Sequence, residues 1–121
     1  MRYVYLISLF TICSIITSCN SWSKGKFEIT NHTSRVIDSI YILPDKSFGR
    51  NYINLKPNES KYYVTNMGGE GTDGSYLLFY KYDYTRLKQF GYYTNGAFIE
   101  KKVRIDIQPD TVLFKYEYSK Y

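Results

Sequence analysis

Cysteine and histidine are nearly missing from this 121-residue chain, which has two cysteines, Cys13 and Cys19, and one histidine, His32. So few ligands exclude the usual zinc sets, and they leave little for a Ser/His or Cys/His catalytic pair. Clustered positive charge is scarce as well. The formal net charge is +5, yet Lys101 and Lys102 are the only adjacent basic residues. A nucleic-acid binder would carry a basic stripe, so nucleic acid is excluded as a partner. Long apolar runs are also lacking. The uncharged stretch at residues 3–16 (YVYLISLFTICSII) falls short of the roughly 20 residues of a spanning helix. Internal repeats and low-complexity tracts are absent.

What is present at the start is a cationic Met1-Arg2, the short apolar stretch, and then Ile16-Thr17-Ser18-Cys19. A basic start, an apolar stretch and small residues before a cleavage point make a secretory signal peptide. The last four residues resemble the bacterial lipoprotein signal, in which an aliphatic residue and two small ones precede the cysteine that receives the lipid. Cys13 fits that pattern poorly, because the bulky Ile12 precedes it. The resemblance implies a signal peptide at residues 1–18, lipidation of Cys19, and a membrane-anchored protein. Asn20 stands where an aspartate would favour retention in the inner membrane. The expected location is therefore the outer membrane, on its periplasmic face. With Cys13 removed and Cys19 lipidated, no disulfide within the chain is expected, even in an oxidising compartment.

Residues 19–121 suffice for one domain. Residues 19–26 read as a polar tether, and the domain begins at Phe27. From there the apolar period is two rather than 3.6. "KFEIT", "RVIDSIYIL", "NYINL", "KYYVT", "YLLFYKYDY", "FGYYT", "AFIEKKVRIDI" and "TVLFKYEY" read as strands. Turn chemistry separates them. Asn31-His32-Thr33-Ser34 has short polar side chains that bond back to the backbone. Pro57 suits a type I turn in "KPNES", and Asn95-Gly96 is a strong hairpin signal. "TRLKQ" (residues 85–89) reads as a helical turn or a hairpin loop. Seven or eight strands spaced in this way predict an all-β protein, an antiparallel sandwich. The layout resembles small immunoglobulin-like or transthyretin-like sandwiches, a likeness of architecture that carries no function.

Fifteen tyrosines are the unusual ingredient. Tyr76, Tyr80, Tyr82 and Tyr84 alternate along one strand, so they either pack on the core or form an exposed aromatic platform. Exposure is expected at the far half, near Lys81 and Asp83. The glycine-rich loop at residues 67–75 (MGGEGTDGS) runs into this strand. It holds Glu70 and Asp73, the best-placed carboxylates for a ligand, though it has neither the calcium-loop order D-x-D-x-D-G nor G-x-G-x-x-G before a helix. The triplets Asn31-His32-Thr33 and Asn58-Glu59-Ser60 match an N-glycosylation acceptor and mark exposed turns.

No catalytic residue, metal ligand or cofactor is assigned. The expected function is a non-enzymatic binding or accessory module that contacts an envelope protein through Tyr82, Tyr84, Glu70 and Asp73. An accessory subunit or an immunity-type inhibitor would both suit its size. The alternatives are a carbohydrate-binding module using exposed tyrosines and a small carboxylate-based hydrolase.

Overall fold

The computed structural model describes residues 24–45, 51–67 and 71–118. Cys19, the signal segment and Glu70 lie outside the described residues. Eight strands follow in order: β1 Lys24–Asn31, β2 Ile37–Leu43, β3 Ile53–Leu55, β4 Ser60–Asn66, β5 Gly74–Tyr82, β6 Tyr84–Tyr93, β7 Lys102–Ile107 and β8 Val112–Glu117. They form two four-stranded sheets, ordered β4-β1-β7-β8 and β3-β2-β5-β6. One core lies between them, as expected of a sandwich. The pairing is antiparallel except where β7 lies parallel to β1, with Phe27 opposite Val103.

Period-two alternation builds the core. Phe27 and Ile29 of β1, and Val103, Ile105 and Ile107 of β7, are fully buried. Across from them, Ile40 and Ile42 of β2 and Tyr76, Leu78 and Tyr80 of β5 close the other side. Phe27 sits at the centre, edge-on to Tyr76, Phe90 and Phe98 at centroid distances of 5.3, 5.7 and 5.4 Å. Such edge-to-face pairs add roughly 0.5–1.5 kcal/mol beyond area burial.

Several expectations are corrected. β1 starts at Lys24, so the end of the expected tether belongs to the sheet. Gly25 permits this, because a Cβ there would lie 2.6 Å from Thr65 Oγ1 and 3.1 Å from the Phe98 ring. Residues 85–89 form neither a helical turn nor a loop. They are the first half of β6, held by pairing with β5 from Lys81 to Leu77. The turn at Pro57 has Asn58 at φ 64°, with Glu59 N–H donating to Lys56 O. A positive φ at the third turn position makes it type II rather than type I. Asn95 and Gly96 (φ 52° and 71°) do form a two-residue turn, with Ala97 N–H donating to Thr94 O at 2.9 Å. Their positive φ values match the favoured hairpin turn. Only one bridge flanks that turn, however, and the chain then crosses to the other sheet.

Asn31 is the most instructive difference. The expected turn is present, since Asn31 Oδ1 accepts from Thr33 N–H at 2.9 Å. The asparagine itself is fully buried rather than exposed. Its Nδ2 donates to Arg35 O and to Leu55 O, at 2.8 and 3.0 Å. One amide thus pins β1 of the first sheet to β3 of the second.

Candidate functional site

The β5–β6 hairpin places the two tyrosines expected to be exposed in unlike surroundings. Asp83, at φ 65°, is the single residue between the strands. Arg35 clasps it with both terminal guanidinium nitrogens, which holds the Asp83 carboxyl below its ordinary pKa. The guanidinium carbon of Arg35 lies 4.3 Å from the centroid of the Tyr82 ring. That of Arg86 lies 5.0 Å from Tyr82 and 4.8 Å from Tyr84. Cation–π contacts of this kind fix aromatic rings. Tyr82 is 8% exposed and belongs to the core, whereas Tyr84 is 64% exposed. The strand's alternation carries Tyr76, Tyr80 and Tyr82 inward, so the expected aromatic platform is reduced to Tyr84.

Nor does Asp73, in the described end of the glycine-rich loop, adjoin these residues. Asp73 precedes β5 at its first residue, and Tyr82 ends it. Nine extended residues separate them by roughly 30 Å. Asp73 is exposed and accepts the Asn95 N–H at 2.7 Å, so its carboxylate steadies the neighbouring turn. His32 is exposed and pairs with Asp106 at 3.2 Å on the surface. Among the described residues no group of three or more His, Cys, Asp and Glu is placed to hold a metal ion.

The two outer faces differ in chemistry. On the first sheet, Lys102 bonds Glu28 at 2.8 Å, and Arg104 bonds Glu117 at 3.1 Å. Tyr62 and Leu113 stand exposed near this paired charge. The second sheet presents apolar rows instead. Tyr41 of β2 lies opposite Phe79 of β5, which lies opposite Leu87 of β6. The Tyr41 and Phe79 rings stack at 4.7 Å and 5°. The next row runs Leu43, Leu77, Gln89. Leu87 is 52% exposed and Leu43 37%. No element of the described chain packs over this face.

Beside it, a cleft of about 660 Å³ is lined by Asp38, Ser39, Tyr41, Tyr52 and Asn54. An irregularity in the pairing of β2 between Asp38 and Tyr41 shapes it, with Ser39 at φ 52°. Ser39 N–H is held by Asp38 Oδ1 and Asn54 Oδ1, at 2.8 and 3.0 Å. Backbone in the left-handed region costs a non-glycine residue on the order of 1 kcal/mol, and outside a turn it often accompanies a binding site.

Comparison with protein-family models, curated proteins and solved structures returns no match. The site therefore stands on its geometry. Sequence reasoning passed over the outer row, although a signal was available. β5 is apolar on both faces, with Leu77 and Phe79 opposite the tyrosines, as a strand covered on both sides would be. Among the described residues only one side is covered.

A buried carboxylate lies elsewhere. Glu100 is 7% exposed, and its Oε2 has no hydrogen-bond partner among the described residues. Burial raises its pKa, against the N–H groups of Ile99 and Glu100 itself. Tyr76 and Tyr116 are near enough to feel its charge. The native state then binds a proton at Glu100 that the unfolded chain releases, so the contribution of Glu100 to stability falls as pH rises from 4.5 through the raised value. Glu100→Gln should stabilise the protein at pH 7 by on the order of 1 kcal/mol and flatten that slope. Urea unfolding of wild type and variant at pH 4 and pH 7 measures both, and a variant no more stable than the wild type at pH 7 would refute the assignment.

Proposed function

We propose that this chain is a lipid-anchored binding module of the bacterial cell envelope, non-enzymatic, that engages an envelope protein through the outer face of its second sheet. The row Tyr41–Phe79–Leu87 is the observation that carries this reading. Contiguous exposed apolar surface on a small domain marks a contact site, and aromatic anchors dominate such sites. Anchorage rests on Ile16-Thr17-Ser18-Cys19, and Asn20 favours the outer membrane on its periplasmic face. Two or three acyl chains on Cys19 would hold the domain stably, since each buried methylene contributes about 0.8 kcal/mol.

The cleft beside Tyr41 and Tyr52 supports a second reading. Two aromatic rings with Asp38, Ser39 and Asn54 combine a stacking surface with hydrogen-bonding groups, which suits a sugar.

Two measurements test the proposal. Cells fed an acyl-chain analogue should label the wild type and not Cys19→Ser; persistent label in the variant refutes the anchor. Chemical crosslinking in membranes should capture a discrete partner with the wild type and not with Phe79→Lys, which loses the stack on Tyr41 and should stay folded at a cost of about 1–2 kcal/mol. Equal capture by a folded Phe79→Lys protein would refute the contact face, and a glycan array would then test the cleft.

A further inference from the structure

The sheet edges are unequally protected. β4 is capped, because Asn51 Nδ2 donates to Val64 O at 2.7 Å and Asp45 accepts from Asn66 N–H at 3.0 Å. β3 is three residues long. β8 leans on the second half of β6, where Phe114 stacks on Phe90 at 4.5 Å and Tyr116 Oη accepts from Gly91 N–H. Among the described residues the backbone edge of the first half of β6 has no such cover, and only the Arg86 side chain reaches across, its Nη1 donating to Pro109 O at 3.1 Å. The hairpin closes with Tyr82 opposite Tyr84, so those residues bond each other. By alternation Thr85, Leu87 and Gln89 turn their N–H and C=O groups away from β5. All three residues are exposed.

The side chains along this edge select what can join it. Leu87 extends the outer apolar row, while Arg86 and Lys88 lie on the opposite face, across from Tyr80 and Leu78. β6 contains no acidic residue, and Lys81, Arg86 and Lys88 form no ion pair among the described residues. A second copy pairing antiparallel about Leu87 would set Arg86 against Lys88. Like charges directly opposite are destabilising, and inward charges on an edge strand are a common guard against self-association.

From this geometry we infer that residues 85–89 of β6 accept an extended acidic segment of a partner protein as a ninth strand. The added strand places carboxylates opposite Arg86 and Lys88 and an apolar residue opposite Leu87, so the row Tyr41–Phe79–Leu87 continues into the partner. Main-chain bonds supply the affinity of such strand addition, and alternate side chains supply its specificity. The inference rests on the outer face being the contact surface and adds to it the backbone edge and the sign of the partner's charge.

A seven-residue capped peptide alternating glutamate and valine is the probe, titrated into the domain and followed by amide NMR. Saturable shifts at Thr85, Leu87 and Gln89 are expected, with affinity at least tenfold above that of a peptide alternating lysine and valine. Methylating the probe's edge-facing backbone nitrogens should abolish binding without altering the protein. Leu87→Pro should do the same from the other side, since proline is tolerated on edge strands; its fold is verified from the remaining amides. If the methylated probe binds as well as the parent, strand addition is overturned while the apolar face stands. If the lysine peptide binds equally, or none binds, the acidic-strand assignment is overturned, and capture through Phe79 decides the contact face separately.

Discussion

Asn31→Ala should destabilise the domain by about 3–4 kcal/mol, a large share of the roughly 5–15 kcal/mol that holds a domain folded. The cost does not come from lost apolar area. The substitution strands Thr33 N–H and Leu55 O, which the side chain satisfies, and leaves Arg35 O with only the Thr33 hydroxyl as a donor. A buried polar group left unpaired costs about 1–3 kcal/mol, and some relaxation at the turn lowers the sum. Asn58 provides the contrast. It heads the other matching triplet but is exposed at φ 64°, so Asn58→Gly should change stability by only a few tenths of a kcal/mol. Urea unfolding of both variants measures the difference. Equal effects would show that the pin between β1 and β3 contributes nothing.

Phe27→Ala is expected to cost about 3–5 kcal/mol, the range for aromatic truncation in a packed core. Phe27 has no exposed surface and meets three rings edge-on, from β5, β6 and the segment before β7. Removing it opens a cavity that rings from three elements cannot close together. Phe27→Leu should recover over half of the loss, since much of the volume returns. Thermal or urea denaturation gives both values, and a loss below 1 kcal/mol would mean that the core repacks around the gap.

The strands were legible because one face of each is buried, so Ile29, Ile105 and Ile107 alternate with polar neighbours. Turns were legible where a backbone demand selects a residue type, as at Asn95-Gly96. Two things stayed hidden for physical reasons. The pairing of β1 with β7 joins residues 76 apart, Phe27 and Val103, and no local pattern encodes a partner at that distance. Which face of β5 is covered also depends on the other sheet. Tyr82 and Phe79 are both aromatic and three residues apart, and only the assembled sandwich buries the first and leaves the second half-exposed. The expected aromatic platform is therefore reduced by alternation, which buries Tyr76, Tyr80 and Tyr82, leaves Tyr84 exposed, and sets Leu77 and Phe79 on the outer face.

The parallel partnership of β1 has a consequence for synthesis. β2, β3, β5 and β6 all lie within residues 37–93, so the second sheet can assemble from a continuous stretch of chain. β1 emerges first and finds β4 early, but its other edge waits for residues 103–107. Contacts this distant in sequence close slowly, and an unpaired edge is a template for association. Until residues 103–107 exist, β1 is half-partnered, and a strand made 76 residues later seals it.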